Sequence, residues 1–312
     1  MEYVTLKNSD LKVSRLCMGG CPMGGHGWGE VSENKLINAV HTAIEKGVNF
    51  FDTADTYGLG KSEETLGKAI KGNRDKVVIA TKFGVRVENG KTSYDNSPGW
   101  IDKAVEESLK RLDTDYIDLY QIHYRDDNTN INVVIDKLEQ LKKKGLIRYY
   151  GLSNIHKEDI HELGSHIGKF VSFQDEYSLA TRKNEDDMLV LSKELELTPL
   201  TWGSLGQGIL SGKYDINVKF ESNDRRSRDI YVNFHGERLK RNLDIVEIMR
   251  EISEQSGKSI PSIAIRFILD FIKDSAVIVG IKSPEQLLSN LEAMDWKLSI
   301  EQINRLLAIS ND

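Results

Sequence analysis

Cysteine is scarce in this chain of 312 residues. The only two, Cys17 and Cys21, stand four residues apart near the N-terminus. With neither a Cys-x-x-Cys motif nor a histidine cluster beside them, they do not complete the ligand set of a metal site. We therefore expect buried or free thiols in a reducing compartment, and no bound metal.

Proline is also scarce, with five residues, and no stretch rich in proline, glycine and serine divides the chain. The length allows either two domains or one large α/β barrel, which routinely exceeds 250 residues. Because no linker separates two halves, we expect one domain over residues 1–312.

Blocks of charge of one sign and long apolar runs are missing as well. Lys and Arg total 42 and Asp and Glu total 48, which gives a net charge of −6 spread along the chain. This distribution carries no electrostatic footprint for nucleic acid or an anionic membrane. The longest apolar stretches are strand-sized, and residues 1–15 hold no signal-peptide core. We expect a soluble, cytoplasmic protein that binds neither nucleic acid nor membrane.

What the sequence does contain is a repeat of short apolar runs, each followed by a segment with helical period. Such alternation predicts a parallel sheet with crossover helices. A hairpin at residues 3–6 and 11–14 is expected before the repeat, closing one end of a barrel. The predicted strands are 14–18, 48–51, 77–81, 117–122, 147–152, 170–173, 197–201 and 276–279. The predicted helices are 33–45, 63–70, 101–111, 133–144, 157–166, 186–195, 237–255 and 260–271, with Ser32 capping the first of them.

Eight such units form either a closed barrel or an open, doubly wound sheet, and dinucleotide fingerprints help to decide between them. No Gly-x-Gly-x-x-Gly motif follows an early strand. The cluster Gly25, Gly27 and Gly29 has Glu30 and Ser32 where the third glycine should fall. Because a Rossmann fold thereby loses its main support, we predict a single (β/α)8 TIM barrel with an N-terminal β-hairpin.

Polar residues or glycines follow nearly every predicted strand. In a (β/α)8 barrel the loops after the strands converge on one face, so these residues would share a pocket. An acid, a cation, an imidazole and amides around one cavity are typical of a catalytic site. The residues are Gly19, Gly20, Asp52, Lys82, His123, Ser153, Asn154, Gln174, Trp202, Gly203, Ser204, Gly280, Ile281 and Lys282.

Three of these residues and Tyr57 suit the transfer of a proton to oxygen. A phenol is a poor acid at neutral pH, but the ammonium of Lys82 would stabilise the phenolate of Tyr57 and lower its pKa. Asp52 would hold Lys82, and His123 could donate a hydrogen bond that orients a substrate carbonyl. Since no side chain supplies a hydride, the site needs a cofactor or a substrate that carries its own leaving group.

Six motifs stand in order along nearly the whole chain, each at a predicted strand end: F-D-T-A-D-T-Y-G (51–58), A-T-K-F-G (80–84), Q-I-H (121–123), G-L-S-N (151–154), L-G-Q-G-I-L-S-G-K (205–213) and G-I-K-S-P-E-Q-L (280–287). On these motifs the sequence resembles the aldo-keto reductases. The resemblance implies a (β/α)8 barrel that reduces small-molecule carbonyls with NADPH. It also implies that Asp52, Tyr57, Lys82 and His123 are the catalytic residues.

The resemblance further assigns contacts with NADPH. It implies residues that bind the carboxamide of the nicotinamide and a ring that stacks on the nicotinamide (Tyr177 or Trp202). It also implies a glycine-containing loop that clasps the pyrophosphate, and residues that bind the adenosine end of the cofactor. The assigned residues are Gly20, Asp52, Ser153, Asn154, Gln174, Tyr177, Trp202, Gly203, Ser204, Leu205, Gly206, Gly208, Lys213, Gly280, Lys282, Ser283, Gln286 and Asn290.

The adenosine end also has a physical logic of its own. Ser283 and Pro284 open a helix whose free N–H groups favour a phosphate, and Lys282 adds a cation. This combination favours the 2′-phosphate of NADPH over NADH. Gln286 stands where the family often has arginine, which removes one cation from the site.

Several alternatives stay open at this stage. The chain could be an NADPH-binding regulatory subunit of a membrane protein with little turnover. It could also be a lyase or isomerase, which would need a metal or a lysine that forms a Schiff base, a role that Lys82 could serve. The glycine-rich residues 19–29 could line the substrate mouth or form a flexible loop. Arg225, Arg226 and Arg228 could fold over a bound cofactor or belong to a solvated loop. The carbonyl substrate is not specified.

Overall fold

Twelve strands form in the part of the chain that the computed structural model describes, residues 1–25, 27–126 and 128–310. They are β1 (Tyr3–Thr5), β2 (Lys12–Ser14), β3 (Leu16–Gly19), β4 (Phe50–Asp52), β5 (Val78–Phe83), β6 (Val85–Glu88), β7 (Lys91–Tyr94), β8 (Ile117–Ile122), β9 (Ile147–Ser153), β10 (Ser172–Glu176), β11 (Thr198–Trp202) and β12 (Ala276–Gly280). Eight of them close into a parallel barrel in the order β3-β4-β5-β8-β9-β10-β11-β12. The predicted (β/α)8 barrel is thereby confirmed.

Helices surround the barrel and connect its strands. They are α1 (Glu33–Glu45), α2 (Lys61–Ile70), α3 (Pro98–Leu112), α4 (Ile131–Lys143), α5 (Ile160–Leu163), α6 (Glu185–Glu194), α7 (Gly236–Ser256), α8 (Ile260–Phe271), α9 (Pro284–Leu291) and α10 (Ile300–Ile309). Among the described residues, no helix combines the length and the apolar character needed to span a membrane.

Helix α3 illustrates how the sequence builds this outer layer. The Ser97 side chain accepts a hydrogen bond from the Trp100 amide, and Pro98 occupies the first turn, where its missing N–H costs nothing. Ile101, Ala104, Val105, Ser108 and Leu112 recur at helical spacing and are buried. Burial of each large apolar side chain contributes about 1.5–3 kcal/mol, so this stripe holds α3 against the barrel.

The N-terminal end of the barrel is closed by the predicted hairpin. Strands β1 and β2 pair antiparallel, and Leu6 and Leu11 in the connection between them are 1% exposed. They pack in one cluster with Phe50, Leu119 and Leu200 from the barrel strands. The hairpin therefore acts as an apolar plug at this end.

Several local predictions need correction. Ser32 stands at the N-cap of α1, but its side chain makes no capping hydrogen bond. The helix predicted at 157–166 is only the short α5 between two 3-10 turns. The strand predicted at 170–173 begins at Ser172, because the buried Phe170 and Val171 belong to the approach to the strand. The hairpin β6–β7 and helix α10 were not predicted.

Candidate active site

A cavity of about 660 Å³ opens at the C-terminal end of the barrel strands. Asp52, Tyr57 and His123 line one part of it, and Lys282 and Gln286 line another. Side chains from seven of the eight barrel strands, or from the loops that follow them, thus border a single space. The predicted catalytic residues and the predicted adenosine end share this cavity.

Lys82 and Asp52 form a buried ion pair at the base of the cavity. The Lys82 Nζ lies 2.7 Å from Asp52 Oδ1 and 2.8 Å from the Thr53 carbonyl, to which it also donates. Asp52 Oδ2 accepts from Gln174 Nε2 at 2.7 Å and from Gln121 Nε2 at 3.2 Å. Because each charge has a partner and further hydrogen bonds, the pair is tolerated where an isolated charge would be costly.

Tyr57 is held next to this pair by a tight turn. Its amide donates to the Ala54 carbonyl at 3.1 Å, and its own carbonyl accepts from the Ser62 amide. Gly58 has φ +63°, and any side chain there would collide with the Gly24 backbone. The loop therefore needs glycine at this position. It brings the Tyr57 hydroxyl within 3.4 Å of Lys82 Nζ.

The protonation of Tyr57 differs from the sequence-based expectation. Burial raises the pKa of Tyr57 well above its usual range, and the Asp52 carboxylate raises it further. Lys82 was expected to lower this pKa, but its charge is balanced by Asp52 at 2.7 Å. The phenol therefore keeps its proton in this structure, which is the form a proton donor needs.

His123 is neutral at physiological pH. Burial lowers its pKa to about 3, and the nearby Lys82 ammonium acts in the same direction. The ring meets Tyr57 edge-on, with centroids 6.0 Å apart, and stacks on Tyr124 at 5.2 Å. Its Nδ1 is buried and has no hydrogen-bond partner among the described residues. A neutral imidazole of this kind can donate one hydrogen bond without bringing a charge.

Amide and hydroxyl groups cover the next part of the cavity wall. Ser153 Oγ donates to the Gln174 carbonyl at 3.1 Å, and Asn154 Nδ2 donates to the His123 carbonyl at 2.9 Å. Asn154 adopts φ +53°, a left-handed conformation that asparagine tolerates better than most residues. These contacts connect the end of β9 to Gln174 on β10 and to His123, which directly follows β8.

A glycine-containing loop follows β11 and borders the cavity. Gly206, Gln207 and Gly208 all have positive φ, at 54°, 56° and 106°. Such a succession of left-handed residues turns backbone groups to one side and suits close approach of a ligand. Trp202, Gly203, Ser204, Leu205, Gly208 and Lys213 line the cavity in this region.

The far part of the cavity is rich in cations. Lys282 donates to the Trp28 carbonyl at 2.8 Å, and burial together with Arg226 lowers the pKa of Lys282. Arg226 pairs with Asp224 at 2.6 Å. Ser283 caps α9 by accepting from the Gln286 amide, as predicted. Gly280, Lys282, Gln286 and Asn290 line this part of the cavity.

Four of the predicted cofactor residues lie outside the lining of the cavity: Gly20, Tyr177, Gly206 and Ser283. Tyr177 is fully buried, donates to Glu185 at 2.6 Å and lies parallel to Phe271. Its ring therefore does not face the cavity, unlike that of the other residue predicted as an alternative for stacking on the nicotinamide. Trp202 is the candidate that faces this space. Lys82 lies beneath the cavity surface and contacts the lining residues Asp52 and Tyr57.

Comparison with known proteins agrees with this geometry. Residues 15–311 match the model of the Aldo/keto reductase family. The chain belongs to that family. It is 34% identical over 304 residues to the aldo-keto reductase YhdN of Bacillus subtilis, covering 96% of this chain and 91% of the relative.

Two solved structures resemble this aldo/keto reductase at 30% identity. One is the glycerol dehydrogenase AKR11B4 from Gluconobacter oxydans, with a TM-score of 0.89 over 98% of this chain and 94% of that one. The other is the holo form of the aldo-keto reductase AKR11C1 from Bacillus halodurans, with a TM-score of 0.80 over 100% and 97%. The protein is therefore an oxidoreductase with a TIM-barrel fold.

This aldo/keto reductase has cavity residues that sequence reasoning assigned incompletely. Trp28 lines the cavity and packs edge-on against Tyr231, whereas Met23 from the same glycine-rich stretch lies in the core. The Arg225 amide donates to the Gly27 carbonyl at 2.9 Å, which joins two loops across the cavity. His26, in the same stretch, lies outside the described residues. Tyr231 also lines the cavity, and it was missed because no strand-end pattern marks it.

Proposed function

We propose that this protein is an NADPH-dependent carbonyl reductase acting on small-molecule aldehydes or ketones. The observation that carries the proposal is the Tyr57 hydroxyl, which lies 3.4 Å from a buried Lys82–Asp52 pair at a cavity that extends to the cationic Lys282 region. A proton donor and a binding site for an extended anionic cofactor thus open on one space.

The cavity residues fit a nicotinamide dinucleotide. Ser153, Asn154 and Gln174 offer amide and hydroxyl groups to a carboxamide, and Trp202 offers a ring face. The glycine-containing loop and Lys213 suit a pyrophosphate. When bound, the reduced cofactor supplies a hydride to the carbonyl carbon.

The side chains of this protein would handle the proton. Tyr57 would donate its hydroxyl proton to the carbonyl oxygen, and the neutral His123 would donate a hydrogen bond to the same oxygen. The Lys82 ammonium would stabilise the phenolate that remains on Tyr57, while Asp52 keeps Lys82 in place. Catalysis then depends on the charge that develops at Tyr57, since the resting phenol is neutral.

A preference for NADPH over NADH follows from the charges at the far part of the cavity. Lys282 and Arg226 lie near each other, and the N-terminus of α9 adds its free amides. Gln286 supplies no charge, and its Oε1 already accepts from the Lys282 amide at 2.9 Å. Titration with NADPH and NADH, followed by protein fluorescence, should show tighter binding of NADPH.

The test is NADPH oxidation with a panel of aldehydes, comparing the parent protein with Tyr57→Phe. Loss of the phenolic proton should lower kcat/KM by roughly 10²-fold or more, the size of general acid catalysis. NADPH binding should be retained. Tyr116→Phe, at the opposite end of the barrel just before β8, is the matched control and should keep its activity.

An unchanged rate in Tyr57→Phe would refute the assigned acid. NADPH binding without turnover across the panel, together with capture of a channel or transporter, would instead favour an NADPH-binding regulatory subunit. Borohydride trapping of a substrate adduct on Lys82 would favour a Schiff-base lyase or isomerase.

A further inference from the structure

A second carboxyl group lies close behind Tyr57 and has no part in the chemistry described so far. Asp55 occupies the turn that begins at Ala54 and ends with the Tyr57 amide bonded to the Ala54 carbonyl. Its Oδ1 is buried and has no hydrogen-bond partner among the described residues. A buried carboxyl oxygen without a partner is costly, and the cost is greatest if the group is ionised.

The groups that face Asp55 leave its charge poorly compensated. Glu63 on α2 is fully buried and accepts from Thr81 Oγ1 and Arg111 Nε, both at 2.6 Å. The guanidinium of Arg111 on α3 is thus already paired with Glu63. Lys82 on β5 is likewise paired with Asp52. An ionised Asp55 would add a second negative charge beside Glu63 without a cation of its own.

An uncharged donor faces the same region. Tyr120 on β8 interacts electrostatically with Asp55 and Glu63, and its hydroxyl is buried without a hydrogen-bond partner in the described part of the chain. The surroundings of Asp55 therefore comprise Glu63, Arg111, Lys82, Tyr120 and its neighbour Tyr57. They favour the neutral carboxylic acid, which can both donate and accept a hydrogen bond.

We propose that Asp55 is a positioning residue for the proton donor Tyr57: the turn from Ala54 to Tyr57 accommodates its buried carboxyl only as the neutral acid, and ionisation of Asp55 disables proton donation by Tyr57. The proposal rests on the proposed function, because it concerns delivery of the Tyr57 proton. If Asp55 ionised, its carboxylate would be repelled by Glu63 on α2, although the four-residue turn leaves Asp55 little room to move away. The carboxylate would also disfavour the phenolate that Tyr57 must form.

The protonation of the two groups supports this geometry. Burial raises the pKa of Asp55 to about 8, and Glu63 raises it as well, whereas Arg111, the Thr56 amide and Lys82 act in the opposite direction. A negative charge on Asp55 in turn raises the pKa of Tyr57, alongside Asp52, Cys21 and Tyr124. Asp55 therefore ionises in the mildly alkaline range. Its negative charge makes the Tyr57 phenol a weaker acid.

The decisive experiment is the pH profile of kcat for carbonyl reduction in the parent protein and in Asp55→Asn. The parent should lose activity as pH rises through about 8, by about tenfold for each further pH unit. Asp55→Asn, whose side chain cannot ionise, should keep its own neutral-pH rate into the alkaline range, with KM little changed. A merely structural role would lower activity by the same factor at every pH.

Asp175→Asn is the matched control. Asp175 is also a buried carboxyl whose Oδ2 has no partner among the described residues, and burial raises its pKa to about 6. It accepts from Asn184 rather than contacting the Tyr57 turn. Its variant should keep the alkaline decline of the parent. The same decline in Asp55→Asn, or its loss in Asp175→Asn, would overturn the proposal.

Thermal unfolding separates failure of this proposal from failure of the proposed function, because it needs no turnover. A carboxyl whose pKa is raised in the folded state binds more protons there than in the unfolded chain between about pH 4 and about pH 8. Its contribution to stability therefore falls as pH rises through that range. The Tm of Asp55→Asn should rise relative to the parent over the same range, and a constant difference would contradict a neutral Asp55.

Should Asp55→Asn fail to fold, Glu63→Gln provides the second variant. Removal of the neighbouring negative charge lowers the pKa of Asp55, so the alkaline decline should move to lower pH. An unmoved decline would overturn the proposal.

Discussion

The two ends of the barrel are built from the same strands but from opposite kinds of residue. Along the inner face of β4, Phe50 is followed two positions later by Asp52, and along β8 Leu119 is followed by Gln121. Along β5, Val78 and Ala80 are followed by Lys82 at the next alternate position. Because alternate residues of a strand face the same side, each inner column changes from apolar to polar within a few residues.

Residues that stabilise the fold and residues suited to the chemistry therefore lie at opposite ends of the same sheet. At the N-terminal end the hairpin residues Leu6 and Leu11 complete a packed apolar cluster. At the C-terminal end the buried polar atoms depend on one another, as in the bonds from Lys82 and Gln174 to Asp52. We expect substitutions at the first end to change stability alone, and those at the second to change activity and its dependence on pH.

The largest effect is expected for Lys82→Met at the polar end. It leaves the Asp52 carboxylate buried without its cation, which should cost about 3–5 kcal/mol of unfolding free energy and abolish turnover. The double variant Asp52→Asn/Lys82→Met should regain much of the stability and none of the activity. Urea unfolding with an NADPH oxidation assay measures both. Equal instability of the single and double variants would contradict the ion-pair interpretation.

At the apolar end, Leu11→Ala should cost about 2–5 kcal/mol through lost burial and the cavity left behind. Leu11 is 1% exposed and far along the barrel from Tyr57. We therefore expect the folded variant to keep the kcat/KM of the parent. A clear fall in kcat/KM at a temperature where the variant stays folded would break the separation between the two ends.

The smallest effect that we expect is the change in the free energy of unfolding caused by His123→Gln at neutral pH. The pKa of His123 is lowered to about 3 in the folded protein, against about 6.5 for an unperturbed histidine. The unfolded chain therefore binds more protons between these values, and this residue's contribution to stability is lost as pH falls through that window.

Unfolding of His123→Gln and the parent at several pH values tests this sign. The variant should gain relative stability below about pH 6.5, with the steepest slope about 1.4 kcal/mol per pH unit. Asp55 contributes a slope of opposite sign to both proteins, so their difference isolates His123. A difference that does not change with pH would show that His123 is charged or exposed in the folded state.

Local sequence pattern was sufficient for much of the barrel. The strand predicted at 117–122 coincides with β8, and helix α1 has the predicted bounds. Short apolar runs and helical periodicity are properties of neighbouring residues, so they can be read without knowledge of the fold. The hairpin β6–β7 was missed because its residues are mostly exposed, and because the alternation in Val85–Glu88 covers only four residues and does not continue in Lys91–Tyr94.

By itself, the sequence determined which polar residues end the strands, and the parallel barrel then brings Asp52, Tyr57, Lys82 and His123 together. Only the tertiary structure decided that Tyr177 faces Glu185 and Phe271 instead of the cavity. It also decided that Tyr57 keeps its proton and that Asp55 lies beside Glu63. Side-chain direction, burial and the balance of charges depend on contacts between distant parts of the chain, which no local pattern encodes.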